Sequence, residues 1–402
     1  MKLRRLVCII KQPLSKRDIH RLGITAALER NIEVTVIDVS DLLHPDLRNE
    51  RSLDLTDAGF NHLVFSGWGD LEENAHILAR ADLVVMAIVS FGPSRGALPF
   101  LRLIARHRTP YLIFQPQIYP RHNLATPRQS VISWLRDLAT RIIKMDPINS
   151  IIARLSPELL GVPRAAFAVF GSAESAISVN PLIGPDTFRI NAHSWDYDLY
   201  LEHRSAADQI SETAVFLDQY LPYHEDYVPL RAAPLNAEHY YAGLRRVFDR
   251  IENELGLNVV IAAHPRSDYT DKPEAFGSRP VIRGETAALI AKSRLVIAHN
   301  STGIGLAVAF RKPVMLIVTK ELYHRQVYEK HFYDGFAEEL GTPLRYFDQR
   351  DAMPLQGALL IDDKAYDQYV ARYLRASDEN RPLWDIIYDA IAASNLSQFF
   401  KQ

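Results

Sequence analysis

The sequence predicts an α/β protein built from two doubly wound parallel sheets. Short apolar runs rich in β-branched residues alternate with segments of helical spacing along most of the chain. The length, 402 residues, suits two domains of roughly 100–200 residues each. A polar stretch at 202–213 interrupts the alternation, which then restarts. Strands alternating with helices argue for βαβ units, hence Rossmann-like halves.

In the first half, RLVCIIK (5–11), EVTVIDVS (33–40), ADLVVMAIV (81–89), PYLIFQP (110–116) and AAFAVFGSAES (165–175) read as strands or strand ends. Residues 16–30, 72–80 and 95–107 carry helical spacing between them. Residues 126–160 break the rhythm: apolar positions at helical spacing are interleaved with Arg136, Arg141, Lys144 and Arg154. Such a stretch either lies on an anionic membrane surface or packs on its own domain with the cations solvated. In the second half AVFLDQYLP (214–222), NVVIAAHPR (258–266), RLVIAHNS (294–301) and KPVMLIV (312–318) read as strands. Helices are expected at 237–255, 302–310 and 380–402. The expected partition is 1–205, 206–380 and a C-terminal helix, 381–402, packing back on the first domain.

The composition excludes several classes. The hydrophobic fraction is 48%, the charged fraction 23% and the net charge −2, so bulk electrostatics offers nucleic acid no footprint. The single cysteine, Cys8, makes no intrachain disulfide and reads as a buried strand thiol in a reducing compartment. The apolar run after the basic start is shorter than a signal-peptide core, and no run approaches 20 apolar residues. The expectation is a cytoplasmic protein, soluble or peripheral.

Polar residues concentrate where three second-half strands end. FLDQYLPYHEDY (216–227) offers Asp218, Gln219, His224 and Asp226; IAAHPRSDY (261–269) offers His264, Arg266, Ser267 and Asp268; IAHNSTGIG (297–305) offers His299, Asn300, Ser301 and Thr302. In open parallel sheets ligands bind at the carboxyl ends of strands, so these ends are expected to converge on one crevice. Ser301 or Thr302 stands where an N-cap belongs, and first-turn amides make a phosphate site unless the hydroxyl merely caps the helix. Gly303 and Gly305 are expected to keep that helix start open. Pro265 biases His264 toward an extended backbone, so the imidazole projects from the strand end, as a ligand for ribose or phosphate or as a structural histidine. Arg266 either meets a leaving phosphate or is solvated.

His264-Pro265 followed by Ser301-Thr302 resembles the CMP-sugar-using GT-B transferases, the bacterial sialyltransferases and the Kdo transferases. Those families carry a His-Pro motif after one strand of the second domain and a Ser-Ser or Ser-Thr motif at a later helix start. The resemblance covers roughly 214–320 by motif. It implies that His264, Pro265 and Arg266 with Asn300, Ser301, Thr302 and Gly303 bind the donor CMP and its phosphate. Through NPLIGPDTFRI, HSWDYDLYL, VFLDQYLPYHEDY and VVIAAHPRSDY the whole chain also resembles uncharacterised surface-carbohydrate biosynthesis proteins. The activity implied is transfer of Kdo or a related nonulosonic sugar to a lipopolysaccharide or capsule glycan. The implied acceptor is lipid-linked or oligosaccharide, met at the cytoplasmic face of the inner membrane. A CMP leaving group carries one phosphate, so hydroxyls and a helix start suffice without magnesium; no metal and no further cofactor are expected.

Two carboxylates compete for catalysis. Asp218 matches by position the nucleophile of retaining β-Kdo transferases, or caps a turn. Glu174, after a first-domain strand, is placed to deprotonate an acceptor hydroxyl across the interdomain cleft, or lies on the surface. Asp196 and Asp198 are further candidates, although their alternation with Trp195, Tyr197 and Leu199 is also that of a plain strand. Gln12, Ser15 and Gln219 are candidate acceptor or cleft contacts. The competing readings are a UDP- or GDP-sugar transferase, a sugar-nucleotide epimerase on the same fold, and a non-catalytic nucleotide binder.

Overall fold

A computed structural model describes residues 2–43, 55, 58–89, 92–115, 117–121, 147–223, 234–325, 327–348, 354–394 and 399. The chain divides into two compact units. The first comprises Met1–Gln117, Met145–Trp195 and Ala376–Gln402; the second is Asp196–Arg375 with 118–121 among its described residues.

The first unit holds β1 (Arg5–Ile10), β2 (Glu33–Asp38), β3 (Asn61–Val64), β4 (Leu83–Met86), β5 (Tyr111–Gln115), β6 (Phe167–Phe170) and β7 (Phe188–Asn191). They form one parallel sheet in the order β3-β2-β1-β4-β5-β6-β7. The second holds β8 (Thr213–Leu217), β9 (Asn258–Ala263), β10 (Val281–Arg283), β11 (Leu295–Ala298), β12 (Val314–Val318) and β13 (Arg345–Tyr346), ordered β10-β9-β8-β11-β12-β13 and again parallel. Each sheet is covered on both faces, which is why the central strands are continuous apolar runs. The doubly wound α/β class expected from the alternation is the class observed. β3, β7, β10 and β13 are short edge strands, the first three mostly exposed or half-buried, and no apolar run announces them.

The helix read at 237–255 spans Ala237–Leu255. The Asn236 side chain caps it by accepting from the His239 N–H at 2.9 Å, and Gly256 ends it at φ 67°. The segment read as one helix at 16–30 is two, Lys16–Arg21 and Ile24–Glu29, because Gly23 takes φ 66° between them. SWDYDLYLE is helical (Trp195–His203) rather than a strand. Its Tyr197, Leu199, Tyr200 and Leu201 enter the second unit's core, so the units part at 195/196, ahead of the expected 205/206. The return to the first unit comes at 375/376 instead of 380/381, where the Ala376 N–H donates to the Ala192 carbonyl at 2.8 Å. Of the basic stretch at 126–160, only 147–160 lies within the described residues, with a helix at Pro147–Ile152. No helix among the described residues is long and apolar enough to cross a membrane.

The terminal helix, Leu383–Ala393, buries Leu383, Trp384, Ile386, Ile387, Tyr388 and Ile391 against the first unit. Trp384 Nε1 donates to the Arg21 carbonyl (3.0 Å) and the Tyr388 hydroxyl to the Gly23 carbonyl (3.1 Å). The Trp384 ring lies where a Cβ on Gly23 would stand, 2.0 Å from its nearest atom. A side chain there meets both a left-handed backbone and an indole. Gly23→Ala is expected to destabilise the first unit by about 2–4 kcal/mol. Urea denaturation followed by tryptophan fluorescence reads this as a lowered midpoint; an unchanged midpoint refutes the docking role of Gly23.

Candidate functional site

In the second sheet the chain runs β8→β9→β10 to one side and then β11→β12→β13 to the other, so the winding reverses between β8 and β11. The crevice beyond the carboxyl ends at such a reversal is the usual ligand site of an open α/β sheet. β9, β8 and β11 are consecutive in the sheet, so their ends fall within about 10 Å, two strand spacings. The three polar segments identified from sequence therefore share one edge of one unit; His224 and Asp226 lie outside the described residues.

The end of β8 braces both neighbours. Asp218 is 5% exposed, and three donors meet its carboxylate. Oδ1 accepts from the Tyr220 N–H (2.9 Å); Oδ2 accepts from the His264 N–H (3.2 Å) and the Tyr269 hydroxyl (2.8 Å). The first contact is an Asx turn that holds Tyr220 at φ 53°, an uncommon conformation for a tyrosine. Burial pushes the Asp218 pKa up, opposed by the hydrogen bonds it accepts, and burial with the Asp218 charge keeps the Tyr269 hydroxyl protonated as a donor. On the other side Gln219 Nε2 donates to Asn300 Oδ1 (3.1 Å), and the Asn300 N–H donates to Gln219 Oε1 (3.4 Å). Gln219, expected as a cleft contact, is a bridge between strand ends.

His264 follows β9 directly and opens a tight turn with Pro265 in second place. The Ser267 N–H (2.9 Å) and Oγ (2.8 Å) both donate to the His264 carbonyl. His264 is half-buried, and its Nδ1 accepts from the Arg266 N–H at 3.3 Å, so a neutral ring carries its proton on Nε2. Pro265 and Arg266 are exposed.

The Ser301–Gly303 corner departs from expectation. The helix beyond it is only Ile304–Ala309, and Gly303, not Ser301 or Thr302, occupies the N-cap position, without a side-chain cap. The Ser301 Oγ accepts from the Gly303 N–H (3.3 Å), the Ser301 carbonyl from Ile304 (3.1 Å) and the Thr302 carbonyl from Gly305 (3.4 Å). The amides expected to cradle a phosphate are thus engaged in local turns. What the corner presents is side chains: Asn300 and Ser301 half-buried, Thr302 exposed. Gly305 does not open the helix start either. It is buried, and a Cβ there would stand 2.8 Å from Asp196 Oδ2 and 3.0 Å from Leu374 Cδ2. Asp196 is therefore a buried carboxylate packed over that helix's first turn, and Asp198 is buried on the same helix as Asp196.

Three candidates belong to the first unit. Ser15 caps Lys16–Arg21 in a reciprocal box with Asp18, which occupies its hydroxyl. An acceptor contact there is displaced by the cap. Gln12 is exposed just beyond β1. Glu174 is half-buried in the first turn of the helix Ala173–Ile177, beyond the end of β6, where Ser172 and Ser175 cap reciprocally.

Sequence reasoning missed the tyrosines. Tyr220 and Tyr269 pack edge-to-face at 5.3 Å, Tyr220 and Tyr223 meet at a tilt with centroids 5.2 Å apart, and the Tyr220 hydroxyl donates to the Asp268 carbonyl (3.0 Å). The signal was present in FLDQYLPY and HPRSDY, where each strand end is followed within six residues by tyrosine. His299 was grouped with the crevice but is fully buried. Its Nδ1 faces the Ile317 carbonyl (2.7 Å) and its Nε2 the Tyr240 hydroxyl (2.8 Å). The alternation Leu295-Ile297-His299 puts it on the same face as the core beneath the helix Ala237–Leu255. Among the described residues no group of His, Cys, Asp and Glu side chains is arranged to hold a metal.

Burial lowers the His299 pKa from 6.5 to about 4. The unfolded chain therefore binds one more proton than the folded chain between those values, and stability rises with pH across that window. Acidification from pH 6.5 to 5 is expected to cost about 2 kcal/mol at this residue. Melting temperatures measured across that range for wild type and His299→Gln check it: the variant loses part of the acid sensitivity, and parallel curves refute the assignment.

No protein-family model matches the chain, and no curated protein sequence does. Solved structures do match in fold. A variant of the wall teichoic acid polymerase TagF superposes with a TM-score of 0.52 at 10% identity, over 99% of this chain and 89% of that one. UDP-GlcNAc 2-epimerase from Methanocaldococcus jannaschii gives 0.50 at 13% identity, over 97% and 100%. The two parallel sheets, their reversal points and these likenesses together make this a GT-B-type α/β fold.

Proposed function

We propose that the chain is a sugar-nucleotide-dependent glycosyltransferase that moves Kdo or a related nonulosonic sugar from a CMP-activated donor to a surface glycan. The observation that carries this reading is the convergence of the His264-Pro265 turn and the Asn300-Ser301-Thr302 corner on one edge of the second sheet, at its reversal point. A transferase must hold its donor by the leaving group, and the groups here suit a nucleoside monophosphate. The His264 Nε2–H donates to ribose or phosphate oxygen. The Ser301 hydroxyl accepts from Gly303, which leaves its own hydrogen to donate, and the exposed Thr302 and Arg266 add donors at the same edge of the sheet. One departing phosphate develops less charge than a diphosphate, so such donors suffice without a metal ion. Glu174 is the base proposed for the acceptor hydroxyl, and Gln12, beyond the end of β1 in the same unit, a proposed acceptor contact. The lipid-linked or oligosaccharide acceptor, and contact with the cytoplasmic face of the inner membrane, belong to the same reading.

The likeness to UDP-GlcNAc 2-epimerase over nearly the whole chain favours a second reading, a UDP-sugar epimerase on this fold. An epimerase needs no acceptor, and a UDP donor brings a second phosphate. A thermal-shift panel of CMP, CDP, UDP, GDP and ADP separates them. Stabilisation by CMP or CDP without added metal is expected, weakened about tenfold in affinity by His264→Ala. A clear preference for UDP removes the CMP assignment, and unchanged CMP affinity in His264→Ala removes the nucleotide contact.

A further inference from the structure

The Asp218 carboxylate is the most heavily engaged polar group at the site, and its geometry is that of a brace. A nucleophile must present an oxygen lone pair to carbon at roughly 3–3.5 Å. Here both oxygens point at donors of the chain's own fold, and the residue is almost wholly buried. Each donor belongs to a loop that carries a candidate ligand contact. The His264 N–H fixes the residue that leads the His-Pro turn. The Tyr220 N–H fixes the turn out of β8, whose tyrosine hydroxyl in turn bonds the Asp268 carbonyl. The Tyr269 hydroxyl fixes the far end of the β9 loop. Arg283 adds a contact to the Ser267 carbonyl from the neighbouring edge strand. With Asp218 removed, two backbone donors and one hydroxyl lose their acceptor, and the two loops are held only by contacts further out.

We propose that Asp218 is a positioning residue: it sets the His264 turn and the Tyr220–Tyr269 pair for the nucleotide and forms no bond to the sugar. The role rests on the nucleotide-binding reading above and acts through His264.

The test uses the full chain, with CMP binding by calorimetry and turnover of CMP-Kdo. Asp218→Asn keeps the shape and one acceptor oxygen; Tyr269→Phe removes one donor and spares the backbone contacts. Asp218→Asn is expected to weaken CMP affinity and raise the donor KM about tenfold, with kcat within about threefold of wild type. Tyr269→Phe should move affinity the same way by a smaller factor, which keeps the test intact should Asp218→Asn fold poorly. In a His264→Ala background Asp218→Asn should cost less than in wild type, because the imidazole it positions is gone while the backbone N–H of residue 264 and the Tyr220–Tyr269 pair remain. A kcat fall of about a hundredfold or more at unchanged CMP affinity, or a sugar adduct on Asp218 by mass spectrometry, overturns the proposal in favour of a nucleophile. CMP affinity unchanged in both variants overturns it outright. A wild-type chain that binds neither CMP nor CMP-Kdo fails the nucleotide reading itself, an outcome distinct from either.

Discussion

One buried carboxylate at the end of β8 governs how the candidate site is assembled. A charged oxygen pair in an apolar interior is costly unless donors surround it, and the fold supplies them from the turn out of β8 and from both ends of the β9 loop. The arrangement works in both directions. The donors make the carboxylate tolerable, and the carboxylate makes the loops definite. A tyrosine with positive φ persists there because the Asx turn over-determines it.

The same strand end reaches the other way through Gln219 and Asn300. β8 is central only because the winding reverses beside it, so its last two residues are the natural place to tie β9 and β11 together. Beneath this layer the aromatic cluster of Phe216, Tyr240, Phe248, Phe276 and Phe347 fills the space under the helix Ala237–Leu255, with His299 among them. Two histidines at the strand ends flanking β8 thus have different fates. His299 continues the inward alternation of β11 and is desolvated into neutrality, whereas Pro265 turns the chain after His264 and leaves that imidazole at the lip.

Much of the candidate site was legible because strand ends are marked twice, by the end of an apolar run and by the polar residues that follow. What misled was local chemistry read without its neighbours. Ser-Thr-Gly after a strand looks like a cap, yet the helix starts later and the turn consumes its own amides. Ser15 looked like a ligand contact and is a cap. Gly305 looked like room for a phosphate and is room for Asp196. Asp-Tyr-Asp spacing in 196–198 matched a strand, but burial of Tyr197, Leu199, Tyr200 and Leu201 against the second unit selects a helix.

By itself the sequence determined the α/β class, the two sheets, the principal strands and the long helix, since each follows from a period of apolar residues that any buried element must show. It also determined which three strand ends are polar. Only the tertiary structure decided the strand order, and with it which ends are neighbours, where the units divide, and which side chains are already spoken for. Those are properties of contacts between residues dozens of positions apart, Asp218 with Tyr269 or Gln219 with Asn300 among them, and no local period carries them.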